Sequence, residues 1–297
     1  MKIGFIGLGV MGSRIARKML EGGNQLMVYN RTVAKTENLV ALGAQRANDI
    51  ASLSKECEII CSCLSMPEDC EQIFQNDVLP YARTGTVCID FSTVGIKTSQ
   101  RIYTQAKEKG ISYLDAPVSG GPEGVEQCTL TIMVGGEQEA FVKVQPLLKL
   151  FAEMIEYLGE SGSGSAAKLI NQYLVAVHSV AASEAMVAGA SFGLDPEQLV
   201  RLLTASYGTS RMLERHMKHY VLDRKFQPGG AVKYVHKDVK LANQLFTQAG
   251  IGDKLGELAE TGFHRAITEG FENEDMSAVI KPLEKQCNVE VKRANKV

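Results

Sequence analysis

Short apolar runs alternate with longer amphipathic stretches over roughly the first 160 residues of the chain. Such alternation is typical of β-α-β units that build a mainly parallel sheet. The predicted strands are residues 2–6, 25–29, 59–63, 87–90 and 113–115. A later pair of runs, 129–134 and 154–157, flanks a helical stretch at 137–150, and we expect this pair to extend the sheet.

Beyond a Gly/Ser-rich segment at 159–165, the pattern becomes helical throughout. The first helix, predicted from 166 to about 192, is the longest, and its apolar character on most sides predicts burial between domains. Further helices are predicted at about 195–205, 210–220, 231–248, 253–269 and 275–287. The chain is therefore expected to form two domains, 1–162 and 163–297, joined by the long helix.

Composition narrows the classes of partner. The chain has 297 residues, 45% of them hydrophobic and 22% charged, which is ordinary for a globular protein. The formal net charge of -2 provides no field that would hold a nucleic-acid backbone or an anionic membrane. A small-molecule partner is the expectation, with no nucleic acid and no membrane.

The seven cysteines are odd in number and fall mostly inside apolar runs, which favours reduced thiols in a reducing compartment over disulfides or a metal site. The start of the chain shows no signal-peptide pattern, and no run of about 18 consecutive apolar residues occurs. We therefore expect a soluble, cytoplasmic protein.

A glycine motif follows the first predicted strand and opens a helix. It is the G-x-G-x-x-G sequence formed by Gly7, Leu8, Gly9, Val10, Met11 and Gly12. In a dinucleotide site the first glycine allows the tight turn, the second lets the pyrophosphate approach the backbone, and the third lets helix and strand pack closely. The motif in this context predicts a Rossmann-type dinucleotide-binding domain, so the expected fold class is α/β followed by an all-helical domain.

The end of the second strand bears on cofactor choice. An NAD enzyme usually places Asp or Glu about 20 residues beyond the glycines. Here Asn30, Arg31 and Thr32 stand at that point, and Arg31 could bind a 2'-phosphate while its neighbours supply neutral donors. NADP is favoured as the cofactor. NAD is possible if Arg31 is only a solvent-exposed turn residue.

Two further segments follow strands and should lie at the carboxyl edge of the sheet, where open α/β folds bind ligands. They are Leu64, Ser65 and Met66 with Pro67 behind them, and Phe91, Ser92 and Thr93. Both could line the cofactor. The simpler interpretation is that Pro67 starts a helix and Thr93 caps one.

The segment 115–125 places glycines and prolines around a serine directly after a strand. Such a loop exposes backbone N–H groups, so the Ser119 hydroxyl and the Gly120 and Gly121 amides could bind a carboxylate. An ordinary turn is the alternative.

Lys168 and Asn171 lie three residues apart near the start of the long helix, so both can face the same side. A lysine in a mostly apolar helix is unusual, because burial of an unpaired ammonium group is costly. Lys168 should therefore face a polar cavity or a partner, unless its stem only snorkels to the surface.

Taken together, the sequence resembles the β-hydroxyacid dehydrogenase family over nearly its whole length. Four ordered motifs carry the resemblance: residues 7–12, residues 115–121, Gly162-x-Gly164-x3-Lys168-x2-Asn171, and Lys237-Asp238 with Leu241-Ala242 beyond. The family includes 3-hydroxyisobutyrate dehydrogenase and several semialdehyde reductases.

The resemblance implies an oxidoreductase that moves a hydride between NADP(H) and a small 3-hydroxy acid or semialdehyde. It implies Lys168 as the general acid/base, Ser119 to Gly121 as the carboxylate anchor, and Asn171 as a substrate contact. It also implies that Thr93 and Lys237 contact the cofactor. Many relatives carry two asparagines where this chain has Asn171-Gln172, so either amide could meet the substrate.

Two expectations remain. His216 and His219 share a helical face without a third ligand, so we expect no metal. The apolar long helix suggests a homodimer or homotetramer. The alternative function is a non-catalytic NADP sensor or protein-interaction module on the same fold.

Overall fold

The computed structural model describes residues 1–293, which form two compact units, Met1–Lys168 and a second unit that begins at Leu169. The division falls inside the long helix, six residues beyond the boundary that the sequence pattern suggested. The two units are described separately below.

The first unit is built on a six-stranded parallel sheet with the order β3-β2-β1-β4-β5-β6. Its strands are β1 (Lys2–Ile6), β2 (Gln25–Tyr29), β3 (Gln45–Arg46), β4 (Ile59–Ser62), β5 (Val87–Asp90) and β6 (Ser112–Asp115). This order is that of a Rossmann fold, whose ligand crevice lies at the carboxyl ends of the strands where the order reverses, here between β1 and β4. The predicted α/β class is confirmed.

Continuous burial explains why the central strands carry apolar runs without polar alternation. All four residues of β4 and of β5 are buried, because helices cover both faces of a parallel sheet. The helices of this unit are α1 (Val10–Glu21), α2 (Glu37–Ala41), α3 (Ile50–Glu56), α4 (Pro67–Ile73), α5 (Ile96–Glu108), α6 (Gly121–Glu126) and α7 (Gln138–Leu148). The strand β3 was not predicted from the sequence, because it has only two residues and both are exposed.

The later pair of runs does not extend the main sheet, contrary to our expectation. The strands β7 (Val118–Ser119), β8 (Leu130–Val134) and β9 (Ala152–Tyr157) form a separate three-stranded sheet. A single antiparallel bridge, Asp115 to Gly135, joins this sheet to the end of β6. The bridge is isolated and lies just beyond the end of β8, so it does not extend into a ladder between the two sheets.

The second unit is helical, as predicted. The helix α8 (Ser163–Ser191) begins in the first unit and continues into the second. The remaining helices are α9 (Pro196–Thr204), α10 (Arg211–His216), α11 (Val232–Gln248), α12 (Leu255–Thr268) and α13 (Lys281–Cys287). Asp195 caps α9 by accepting a hydrogen bond from the Gln198 N–H at 2.7 Å.

Buried hydrogen-bonding groups connect elements of the second unit, including α8. The Ser179 hydroxyl lies 2.9 Å from His216 Nε2, and both residues are fully buried. Arg215 forms two hydrogen bonds with the carboxylate of Asp275, which also accepts the amide protons of Gly229 and Gly230. These bonds satisfy groups that would otherwise be costly to bury.

Within residues 1–293, α8 is the one helix long and apolar enough to cross a membrane by length and composition. The core helix of a soluble protein passes the same test. Lys168, Ser179 and Glu184 interrupt its apolar surface, so no uninterrupted run of that length occurs.

Candidate active site

The glycine motif forms a tight turn between β1 and α1. Gly7 has φ = +93°, and a side chain at Gly12 would place its Cβ 2.0 Å from the Gly7 carbonyl oxygen. A Cβ at Gly9 would meet no atom within 4 Å, so the space above Gly9 is open. Gly9 is the N-cap of α1 and offers no side-chain bond to the helix amides. This geometry fits a pyrophosphate approaching the first turn of α1.

The side chain of Asn30 stabilises this turn. Its Oδ1 accepts a hydrogen bond from the Leu8 N–H at 2.8 Å, and its Nδ2 donates to the Thr32 carbonyl oxygen at 2.9 Å. Asn30 therefore links the end of β2 to the glycine motif in addition to any contact with a ligand. Arg31 and Thr32 are exposed beside it, just beyond the end of β2.

A buried carboxylate organises the next two loops at the sheet edge. Asp90 accepts hydrogen bonds from the hydroxyls of Ser62, Ser92 and Tyr113, at 2.8, 2.5 and 3.0 Å. The Ser92 hydroxyl in turn accepts the Leu64 N–H at 2.7 Å. Burial, followed by the neighbouring Asp90 charge, raises the pKa of Tyr113 well above its usual range, so the phenol stays protonated and can donate.

Through the Leu64–Ser92 hydrogen bond, this network joins the start of the predicted cofactor loop, Leu64 to Met66, to the residue that precedes Thr93. Pro67 begins α4, as predicted, with Met66 as the N-cap. Thr93 does not cap a helix, because α5 begins at Ile96 and its N-cap is Gly95. Sequence reasoning placed Ser92 in a segment that could line the cofactor but missed Asp90, although a carboxylate at the end of an apolar strand was a usable signal.

The predicted carboxylate anchor lies on a short strand and the turn after it. Ser119 pairs with Thr131 in the second sheet and is half-buried. Gly120 and Gly121 have φ values of +132° and +68°, which other L residues rarely adopt. Consecutive glycines of this kind leave the backbone uncovered by side chains, which suits recognition of an anion by amide groups.

Lys168 lies in the second turn of α8 with only 7% of its surface exposed. The helix begins against Asp115, whose carboxylate accepts the amide protons of Gly162 and Ser165, both at 2.8 Å. Burial raises the pKa of Asp115, and these two backbone hydrogen bonds oppose the shift. The sequence analysis quoted Asp115 within a motif but gave it no role.

In the second unit, the side chains of Asn171, Gln172, Asp238 and Lys237 form a continuous series of contacts. Asn171 Nδ2 donates to Gln172 Oε1 at 3.0 Å, and Gln172 Nε2 donates to Asp238 Oδ2 at 2.6 Å. Lys237 Nζ lies 3.0 Å from Asp238 Oδ1 and forms an ion pair with it. Gln172 is buried and Asn171 half-buried, so Asn171 is the more accessible amide.

Metal-binding side chains do not cluster in the part of the chain that the structure describes: residues 1–293 contain no group of three or more His, Cys, Asp or Glu suited to a metal. His216 is buried against Ser179, whereas His219 is exposed. All seven cysteines are free thiols.

Comparison with known proteins places this geometry in a family. Residues 2–159 match the NAD binding domain of 6-phosphogluconate dehydrogenase, and residues 162–283 match the NAD-binding domain of NADP-dependent 3-hydroxyisobutyrate dehydrogenase. The chain belongs to the β-hydroxyacid dehydrogenase family. The resemblance seen in the sequence motifs is thereby confirmed, and the protein is a nicotinamide-dependent oxidoreductase.

Individual members of the family are similar over almost the full chain. The 2-(hydroxymethyl)glutarate dehydrogenase of Eubacterium barkeri is 35% identical, covering 98% of this chain and 97% of its own. The 2-hydroxy-3-oxopropionate reductase of Escherichia coli is 32% identical, covering 97% and 99%. The crystal structure of 3-hydroxyisobutyrate dehydrogenase from Salmonella typhimurium is 29% identical, covers 95% and 99%, and has a TM-score of 0.88.

Proposed function

We propose that this β-hydroxyacid dehydrogenase catalyses hydride transfer between NADP(H) and a small 3-hydroxy acid or its semialdehyde, with Lys168 as the general acid/base. The observation that carries this proposal is the burial of Lys168 on a helix whose start is bonded to Asp115, four residues before Ser119 of the proposed carboxylate anchor. The relatives named above act on substrates of this class.

Each residue has one task in the proposed reaction. The bound nicotinamide supplies or accepts the hydride. Ser119, Gly120 and Gly121 bind the substrate carboxylate through a hydroxyl and two amides. Lys168 donates its proton to the carbonyl oxygen as the alcohol forms, and it removes the hydroxyl proton in the reverse direction. Asn171 orients the substrate, and Gln172 holds Asp238 in place.

The cofactor residues follow from the sheet edge. Residues 7–12 bind the pyrophosphate, residues 64–66 and Thr93 line the cofactor with Thr93 on the nicotinamide side, and Lys237 contacts the cofactor, as the family resemblance implies. We propose NADP as the preferred cofactor because Arg31 and Thr32 are exposed where a 2'-phosphate would lie, and because the second matching family is described as NADP-dependent. NAD remains an acceptable substitute.

A panel of C3 and C4 semialdehydes with NADPH tests this function directly. We expect at least one of them to support NADPH oxidation, followed at 340 nm, with the matching alcohol as product. Tight NADPH binding without consumption by any member of the panel would contradict the proposal and favour a cofactor sensor.

We further propose that the protein acts in the cytoplasm as a homo-oligomer. Apolar side chains of the second unit remain exposed along α8 and just beyond it: Ile170 is 49%, Leu174 48% and Phe192 87% exposed. Surfaces of this kind commonly mark a protein contact. Light scattering should give a multiple of the monomer mass, and a monomer at micromolar concentration would contradict this assembly.

A further inference from the structure

Asp115 makes two backbone contacts to the start of the helix that carries Lys168. One carboxylate oxygen accepts the Gly162 N–H and the other accepts the Ser165 N–H, each at 2.8 Å. The Ser161 hydroxyl approaches the first oxygen at 3.4 Å. Asp115 itself is 1% exposed, so these bonds form away from water.

The helix needs a cap from elsewhere because its own N-cap cannot provide one. Gly162 occupies the N-cap position, and its φ of +95° lies in a region that Ser, Thr and Asp rarely adopt. The usual capping side chain is therefore excluded. Asp115 replaces it from a strand end 47 residues earlier, binding the amides of the N-cap and of the third helical residue.

The backbone of Asp115 is fixed at the same time. Its N–H donates to the Gly135 carbonyl oxygen at 3.0 Å, and its carbonyl oxygen accepts the Gly135 N–H at 2.9 Å. The first turn of α8 packs directly on this backbone, since a Cβ at Gly164 would lie 2.5 Å from the Asp115 carbonyl oxygen. The strand end and the helix start therefore cannot shift independently.

Both candidate catalytic segments are attached to this one residue. Ser119 follows Asp115 by four residues, and the loop between them begins at the Asp115–Gly135 bridge. Lys168 follows Ser165 by three residues, so the two lie on the same face of α8. The Ser165 hydroxyl also lies 2.8 Å from the Ser99 hydroxyl, which fixes that face against α5.

We propose that Asp115 is a positioning residue that sets the register between the Ser119 loop and Lys168. The inference rests on the proposed function of those residues and adds a role for a side chain that touches neither substrate nor cofactor. A cap that served only folding stability would affect unfolding alone. A positioning residue affects turnover while leaving cofactor binding intact, because the hydrogen bonds of its carboxylate go to the start of α8 and not to the glycine turn at 7–12 or to residues 30–32.

The test is Asp115→Asn, which preserves shape but places an NH2 group against one of the two N–H donors. We expect kcat with the best semialdehyde to fall by about 100-fold, as for a displacement near 1 Å, while the KM for NADPH changes less than about two-fold. The matched control is Asp49→Ala, which removes an exposed N-cap bond, Asp49 Oδ1 to Ser52 N–H at 2.7 Å, from α3 in the same unit. This control should lower the melting temperature without changing kcat.

A second readout does not depend on turnover. In Asp115→Asn, hydrogen exchange should accelerate together in residues 161–166 and 117–121, and not in residues 50–56. Wild-type kcat in Asp115→Asn would overturn the positioning role while leaving the proposed function intact. If the wild type itself consumes no NADPH, the proposed function fails. The exchange experiment still tests whether Asp115 couples residues 161–166 to residues 117–121, and faster exchange in residues 161–166 alone would overturn that coupling.

If Asp115→Asn does not fold, Asp115→Glu serves in its place, since it keeps both acceptor oxygens and lengthens the side chain by one methylene. The helix cap is then retained and only the register changes. A positioning role predicts a loss of kcat in Asp115→Glu with an unchanged KM for NADPH. Turnover equal to the wild type would contradict it.

Discussion

Individual side chains of the first unit divide into those placed to touch a cofactor and those that hold the others in place. Arg31 is exposed at the end of β2. The Asn30 side chain, by contrast, accepts a hydrogen bond from the Leu8 N–H and donates one to the Thr32 carbonyl oxygen. The two neighbours should therefore affect cofactor binding in different ways. In the proposed function Arg31 binds the 2'-phosphate alone, whereas Asn30 stabilises the glycine turn that any dinucleotide would use.

Arg31→Ala should raise the KM for NADPH by about 10- to 100-fold and change that for NADH little, because a charge-assisted hydrogen bond contributes about 1.5–3 kcal/mol. Asn30→Ala should weaken both cofactors to a similar extent. Steady-state kinetics with each cofactor measure this, with Arg101→Ala on α5 as the control for loss of an exposed arginine. Equal losses for both cofactors in Arg31→Ala would show that Arg31 does not select NADP.

At the scale of elements, two glycines of the turn between β1 and α1 differ in the space available for a side chain. A Cβ at Gly9 meets no atom within 4 Å, whereas a Cβ at Gly12 lies 2.0 Å from the Gly7 carbonyl oxygen. The first position is therefore kept small for a ligand, and the second for packing between α1 and β1.

Gly9→Ala should retain the wild-type melting temperature and weaken NADPH binding by about 10-fold or more, since one misplaced methyl group costs on the order of 1–3 kcal/mol. Gly12→Ala should destabilise the fold by about 2 kcal/mol or more, because neither backbone segment can move easily. Thermal unfolding and fluorescence titration with NADPH separate the two effects. A Gly9→Ala variant that melts early yet binds normally would contradict this assignment.

Elements of the Rossmann unit were predictable where burial is continuous. The patterns at 2–6, 25–29 and 87–90 coincide with β1, β2 and β5, because apolar runs between helices leave little choice of structure. The short strands β3 and β7 have two residues each and carry no periodic signal. The separate second sheet was missed because pairing partners depend on tertiary contacts such as the Asp115–Gly135 bridge.

Candidate site residues were predictable where backbone chemistry constrains the residue type. Gly7, Gly12 and Gly120 are required by tight contacts or positive φ, and these constraints show in the sequence. Apart from the bond between Asp90 and Ser92, the side chains of Asp90 and Asp115 bind partners 23 to 50 residues away, so no local pattern reveals those bonds. The same holds for Gln172 and Asp238, which are 66 residues apart.

For the whole molecule, acid sensitivity should come from the buried imidazole of the second unit. Burial lowers the pKa of His216 to about 3, and the neighbouring Arg215 adds to the shift while Asp275 opposes it. Between pH 6.5 and 3 the unfolded chain therefore binds a proton that the folded chain does not. The stabilisation is present above pH 6.5 and is lost as the pH falls.

The free energy of unfolding should consequently drop by about 2 kcal/mol from pH 7 to pH 5 through this group alone. Urea unfolding at the two pH values measures the drop, and His216→Gln should reduce it even though the variant is less stable overall. The control is His219→Gln, which changes an exposed histidine on the same segment. An undiminished pH dependence in His216→Gln would contradict the assignment.

The central claim, acid/base catalysis by Lys168, is tested most directly by the turnover of Lys168→Ala on the best semialdehyde, with NADPH affinity measured in parallel. We predict a kcat lower by about 10²- to 10⁴-fold, unchanged NADPH affinity and partial recovery on addition of methylammonium. Lys143→Ala, an exposed lysine on α7, should behave as the wild type. Wild-type turnover by Lys168→Ala would contradict the account.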